Sequence, residues 1–234
     1  MSSTPQDPRI VAGMTRQLEV RRQRLATGEA SLGWKLGFGT PAAMERLGIE
    51  APLVGFLVDG ATVEPGSTVS VAGWTNPVVE PEIAVIMGRD LPHAAHRDAV
   101  REAIAAVAPA IELADLSFPP EDVEAILASD VYQRHVVLGR PDETRGGGRL
   151  DGLVATVDRD GARIATTDDP LAATGDLIDN VMHVANLLAS LGEVLRAGEI
   201  ILTGSIIPPI RADRSTEVRY VLDPIDTISV RLAQ

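Results

Sequence analysis

Apolar residues at helical spacing open the chain. Ile10, Val11, Met14, Leu18 and Val20 recur among arginines and glutamines, which predicts an amphipathic helix over residues 8–26 that stops near Gly28. Residues 31–40 read as a short apolar strand punctuated by three glycines, and residues 41–47 as a short helix. The period then falls to two. Residues 54–58, 68–71 and 78–87 are expected as antiparallel strands separated by Asp-Gly and Pro-Gly turns. Helical spacing returns over 98–107, a strand is expected over 109–116, and a short helix follows the Pro-Pro pair over 120–127. Segments 154–157 and 162–165 flank Asp-Arg-Asp-Gly, a hairpin signal. The clearest helix is expected over 179–196, with Val181, Val184, Leu187, Leu188, Leu191 and Leu195 inward and Gly198 just past its end. Strands over 200–203, 216–221 and 227–232 close the chain. With no βαβ rhythm, the expected class is α+β and sheet-dominated.

At 234 residues without a low-complexity linker, the chain is read as a single domain, with an N-terminal helical segment over 1–30 and a catalytic domain over 31–234. Aromatic residues make up 3%, so the core must be built from aliphatic side chains. A net charge of −12, with arginines scattered rather than clustered, argues against nucleic acid and anionic lipid as partners. The first residues lack the basic-then-apolar order of a secretory signal and no apolar run approaches membrane-spanning length, so a cytoplasmic protein is expected. The absence of cysteine excludes disulfides, thiolate metal sites and thiol nucleophiles, leaving oxygen or imidazole ligands for any metal.

Against twenty arginines the chain has one lysine, Lys35, in the apolar Gly-Trp-Lys-Leu-Gly at 33–37. Arginine stays charged, whereas a desolvated lysine can exchange its proton, so Lys35 is a candidate catalytic amine. Glu80 and Glu82 stand two apart in an apolar strand and so project from one face. Glu112 is a third isolated acid in an apolar strand. Carboxylates in such settings need a positive partner, and three of them suit a hard cation, Mg²⁺ or Mn²⁺. The run Ile-Leu-Thr-Gly-Ser at 201–205 ends a buried strand in small polar residues, which makes Thr203, Gly204 and Ser205 candidates for binding a substrate carboxylate. His93 and His96, at a loop entering a helix, are read as surface residues, and His135 and His183 as structural.

Taken in order, Gly-Trp-Lys-Leu-Gly at 33–37, Gly-Phe-Leu-Val-Asp at 55–59, Val-Glu-Pro-Glu-Ile-Ala at 79–84, Pro-Ala-Ile-Glu at 109–112, Val-Val-Leu-Gly at 136–139, Leu-Ala-Ser-Leu-Gly-Glu at 188–193 and Ile-Leu-Thr-Gly-Ser at 201–205 resemble the fumarylacetoacetate hydrolase superfamily. The resemblance is to its branch of 2-oxopent-4-enoate (2-hydroxypentadienoate) hydratases and 4-oxalocrotonate decarboxylases. It implies a mixed β roll, a divalent cation on Glu80, Glu82 and Glu112, an active-site lysine at Lys35 and a nearby acid at Asp59. It also implies a homo-oligomer acting on a small 2-oxo acid. The reaction implied first is hydration of a 2-hydroxypenta-2,4-dienoate-like substrate to a 4-hydroxy-2-oxo acid, with decarboxylation of a 4-oxalocrotonate-like acid or C–C hydrolysis of an acylpyruvate as alternatives. A glutamate rather than an aspartate at position 112 favours the hydratase and decarboxylase branch. The chain departs from the hydratase pattern at Asp130-Val-Tyr-Gln-Arg134, where Asn-Ala-Ser-Ser is usual, and at Leu177 and His183. It also lacks a Pro-Gly-Asp turn between Arg211 and Asp223. A different class of reading is a non-enzymatic, metal-stabilised binding protein, against which the single lysine argues.

Overall fold

In the computed structural model, residues 7–91 and 96–234 are described, and His93 lies outside them. Helix α1 (Pro8–Ala26) starts at Asp7, whose carboxylate caps the amide of Arg9, and is followed by β1 (Ser31–Gly37), α2 (Pro41–Leu47) and β2 (Leu53–Val58). Next come β3 (Thr68–Ser70), β4 (Pro77–Met87), α3 (Arg97–Ala103), β5 (Ile104–Asp115), α4 (Val123–Ala128) and β6 (Gln133–Leu138). The hairpin β7 (Val154–Arg159) and β8 (Ala162–Thr167) precedes α5 (Leu177–Ser190), β9 (Ile200–Ser205), β10 (Ile210–Arg211), β11 (Thr216–Asp223) and β12 (Asp226–Ala233).

Two sheets form from these strands. The larger has the order β2-β1-β9-β4-β5-β6 with β10 paired to β4, and the smaller the order β3-β12-β11-β7-β8. The predicted α+β, sheet-dominated class holds. The sheets are mixed, because β1 runs parallel to β9 and β3 parallel to β12. Strands β4 and β5 are the longest and pair from Pro77 opposite Asp115 to Met87 opposite Ile104. Alternation gives β4 two different faces. Val79, Ile83, Val85 and Met87 enter the main core, while Ala84 joins a small second cluster with Leu57, Ala108, Ala110, Val136, Ile200 and Leu202. Small residues on that inner face let the larger sheet curl. Its edges are tied where the Phe56 amide donates to the Asp130 carboxylate over 2.7 Å and the Val63 amide to the Val136 carbonyl over 2.9 Å.

Helix α1 packs on α4 at Gly13, where an added Cβ would lie 2.6 Å from Leu127. Beside it the buried Gln17 amide donates to the carbonyls of Val54 and Leu127, fastening the helix to β2 and α4.

The expected elements differ from the observed ones in three places. Residues 104–107 are strand rather than helix, because Ile104 and Ala106 pair with Met87 and Ile86, and tertiary pairing outweighs helical spacing. Helix α5 ends at Ser190 rather than 196. Gly192, at φ 79°, reverses the chain so that the Glu193 amide caps the Leu188 carbonyl, and Leu195 bridges to Leu91 instead of extending the helix. Strands β6 and β10 carry too few alternating residues to announce themselves. No helix among the described residues is long and apolar enough to cross a membrane.

Candidate metal centre

Because Glu80 lies opposite Glu112 across the β4–β5 ladder, and Glu82 follows two residues on, all three side chains leave the same face of the curled sheet. Each offers a carboxylate oxygen, and the three oxygens lie within 4.8 Å of one another. Ligands on opposite sides of a divalent cation, at about 2.0–2.6 Å each, span about 4–5 Å, so the spacing fits one ion. Pro81 sits where β4 changes neighbours. Below it β4 pairs with β10, above it with β9, and the Ile206 amide reaches the Pro81 carbonyl over 2.9 Å. A residue without an N–H costs nothing at that break, and it sets the two glutamates at the mouth of the gap.

The donor set passes a second test of fit. Glu112 is buried, and its Oε2 has no hydrogen-bond partner, an arrangement that costs free energy unless a cation completes it. Burial, followed by repulsion from Glu112 and Glu80, pushes the Glu82 carboxyl well above the usual range. Burial likewise raises Glu80, with Lys35 opposing. Glu112 is pushed up to about 7 by burial, against the opposing pull of Lys35. Folded-state acids with raised pKa values hold protons that the unfolded chain releases, so the metal-free protein loses stability as pH climbs from about 4.5 through about 7. A cation must displace those protons. The rise in melting temperature on adding Mg²⁺ is therefore expected to be several degrees larger at pH 8 than at pH 5.5, and equal rises at both would remove these acids from the ligand set.

Lys35 is buried, and its ammonium pairs with Glu112 and donates to the Val131 carbonyl over 3.0 Å. Burial pulls its pKa down, but Glu112, Glu80 and Glu82 together outweigh that and hold it above the usual value. Gly55, opposite Lys35 on β2, leaves the room, since an added Cβ there would lie 3.0 Å from the lysine chain. The Val131 carbonyl is aimed by an unusual turn. Asp130, Val131 and Tyr132 lie in succession at φ 58°, 50° and 64°, a left-handed conformation costing a residue with a side chain about 1–2 kcal/mol. The neighbouring Asp130 carboxyl is raised well above its usual range by burial, partly offset by the Phe56 amide. Sequence reasoning missed Asp130 as a site residue. Its only trace was the departure at 130–134, since nothing local foretells a valine at positive φ.

One expected catalytic residue needs correction. Asp59 is exposed and accepts from the amides of Ala30 and Gly60 over 2.9 and 2.8 Å. The register that sets Lys35 opposite Gly55 leaves Asp59 four residues further along, about 13 Å away, so it shapes a turn and does not face the lysine. Thr203, Gly204 and Ser205 line the cavity beside the acids, but their donors are engaged. The Thr203 hydroxyl donates to Ile83, the Ser205 hydroxyl to Ile207, and the Gly204 amide holds Glu82 Oε2 at 2.8 Å. Their visible work is to orient Glu82 and the strand end. His183 lies apart, bonded to the Pro52 carbonyl, and His96 caps the start of α3.

Lys35 and Glu80 open into a cavity of about 780 Å³. Two of the three phenylalanines and one of the two tyrosines, Phe38, Phe118 and Tyr132, form its apolar wall, so the scarce aromatics are concentrated where a flat carbon chain would pass.

A curled sheet carrying three converging carboxylates and a buried lysine defines a class. The chain belongs to the fumarylacetoacetate (FAA) hydrolase C-terminal family, matched over residues 43–234. It is 27% identical to a 4-oxalocrotonate decarboxylase of Pseudomonas putida, over 93% of this chain and 83% of that protein. It is also 27% identical to 2-keto-4-pentenoate hydratase 1 of Dechloromonas aromatica (strain RCB), over 91% and 81%. Among solved structures it is similar to the 4-oxalocrotonate decarboxylase from Pseudomonas putida G7 complexed with magnesium and adipate. That likeness has a TM-score of 0.86 at 27% identity and covers 95% of this chain and 86% of the other.

Proposed function

We propose that the protein is a divalent-metal-dependent lyase of small 2-oxo acids and their 2-hydroxydienoate tautomers, with Glu80, Glu82 and Glu112 as ligands of Mg²⁺ or Mn²⁺ and Lys35 as the proton-transfer group. The observation that carries the reading is the buried, unpartnered Oε2 of Glu112 beside two further carboxylates and the ammonium of the single lysine. A cation bound by these three carboxylates would supply a Lewis acid to a 2-oxo acid substrate. The chain's own residues do the rest. Glu80, Glu82 and Glu112 fix where the substrate's oxygens sit, and Gly204 fixes Glu82. Phe38, Phe118 and Tyr132 flank the carbon chain and limit water. Lys35, held between Glu112 and the Val131 carbonyl, delivers or accepts the proton as the 2-hydroxydienoate and 2-oxo forms interconvert.

Hydration to a 4-hydroxy-2-oxo acid is the reaction assigned first, and decarboxylation of an unsaturated 2-oxo dioic acid second. The likeness to both a hydratase and a decarboxylase supports keeping the pair. Proton NMR of 2-hydroxypentadienoate and 4-oxalocrotonate with the protein and Mg²⁺ separates them. A new carbinol proton signals hydration, and loss of the distal carboxyl with a vinyl product signals decarboxylation. No metal-dependent turnover of either compound refutes the proposal.

The working form is proposed to be a homo-oligomer. The free edge of the smaller sheet at β8, where Ile164 is exposed, supports self-association. Light scattering that returns the mass of a single 24.8 kDa chain at micromolar concentration would refute it.

A further inference from the structure

In an acidic chain with 33 carboxylate side chains, an arginine has no shortage of partners. Among the described residues every arginine but two makes an ion pair or a side-chain hydrogen bond. The two exceptions are Arg46 and Arg211, and both line the cavity that opens from Lys35 and Glu80. They come from distant parts of the chain. Arg46 is in the last turn of α2, a helix capped by Thr40 at one end and by the left-handed Gly48 at the other. Arg211 is held by β10, where it lies opposite Val78, and the next amide, Ala212, bonds to the Pro77 carbonyl over 3.0 Å.

The register fixes which way Arg211 faces. Residues directly opposite in an antiparallel pair project to the same side, and so do residues two apart on one strand. Arg211, Val78 and Glu80 therefore share the cavity face, with the Cα atoms of Arg211 and Glu80 about 8 Å apart from strand spacing and rise. Among the described residues, the other charged side chains lining the cavity are Lys35 and Glu80, both committed to the acidic cluster. Two arginines whose backbones are held by α2 and β10, and whose guanidinium groups have no protein partner among the described residues, thus line the cavity that holds Glu80.

We propose that Arg46 and Arg211 bind a second, distal carboxylate, so that among small 2-oxo acids the site favours a dioic acid over its monocarboxylic counterpart; this rests on the metal-site reading above. The acid's 2-oxo end is placed at Glu80, Glu82 and Glu112, its carbon chain lies along Phe38, Phe118 and Tyr132, and its far carboxylate meets the arginine pair. Planar guanidinium groups match a carboxylate bidentately, and a pair that no protein acid neutralises keeps its full attraction for an incoming anion.

The test compares two probes of equal length, 2-oxoadipate and 2-oxohexanoate, which differ only in the distal carboxylate. Isothermal titration into the Mg²⁺-loaded protein at low salt is expected to show 2-oxoadipate binding at least tenfold more tightly. In the Arg46→Met/Arg211→Met double variant the ratio is expected to fall close to one, with the melting temperature held because both positions are exposed. Raising the salt should compress the ratio in the native protein and leave the variant unaffected. Equal, Mg²⁺-dependent binding of both probes, or a ratio unchanged in the double variant, overturns the arginine assignment and leaves the metal site standing. Binding of neither probe with Mg²⁺ overturns both.

Discussion

Replacing Glu82 by glutamine is expected to cut metal-dependent turnover by about a thousandfold, the scale of about four kcal/mol of lost Lewis-acid stabilisation, while the variant still folds. The glutamine keeps the shape of the side chain and an oxygen for the Gly204 amide. It removes a carboxylate that burial and its two neighbours already hold well above the usual range. The metal-free variant should therefore melt no lower than the native protein at pH 8, and its melting temperature should no longer respond to Mg²⁺. Turnover and Mg²⁺-dependent melting together decide the matter. A variant that turns over normally in the presence of chelator would show that the three acids are not the ligands.

The Lys35→Arg variant is expected to lose at least about a hundredfold in kcat, the usual scale for a positioned proton donor or acceptor. Arginine keeps the positive charge beside Glu112, so the buried pair survives in sign. It does not release a proton near neutral pH, and its planar fork does not fit a pocket shaped by one carboxylate and one carbonyl. The Mg²⁺ dependence of melting separates loss of chemistry from loss of the site. Near-normal kcat in this variant would mean that Lys35 serves as a charge and that another group moves the proton.

The acidic cluster was legible because a lone carboxylate in an apolar strand announces an unmet cost. Periodicity alone put Glu80 and Glu82 on one face, although only the ladder register reveals that Glu112 stands opposite Glu80. Lys35 stood out by the same logic, as an exception to the chain's own habit of using arginine. Asp59 misled because proximity to a motif is not proximity in space. On antiparallel strands every residue beyond the paired one moves further from its target, and Asp59 lies past the end of β2. The boundaries at 104 and 190 were lost to forces with no local signature, the pairing of β5 with β4 and the reversal at Gly192. Asp130 left no trace beyond the departure at 130–134. Its position depends on three left-handed residues that only the surrounding packing can hold in place.

The single lysine turns the molecule into its own reporter of internal breathing. Every other cationic side chain is arginine, and Lys35 is 2% exposed at the floor of a sheet whose edges are tied at Asp130 and Val136. Amine-directed acylating reagents too large for the cavity have no side-chain target on the native surface. Modification at position 35 can proceed only when those ties release, so the slow growth of one extra adduct in an intact mass spectrum would measure how often the sheet opens.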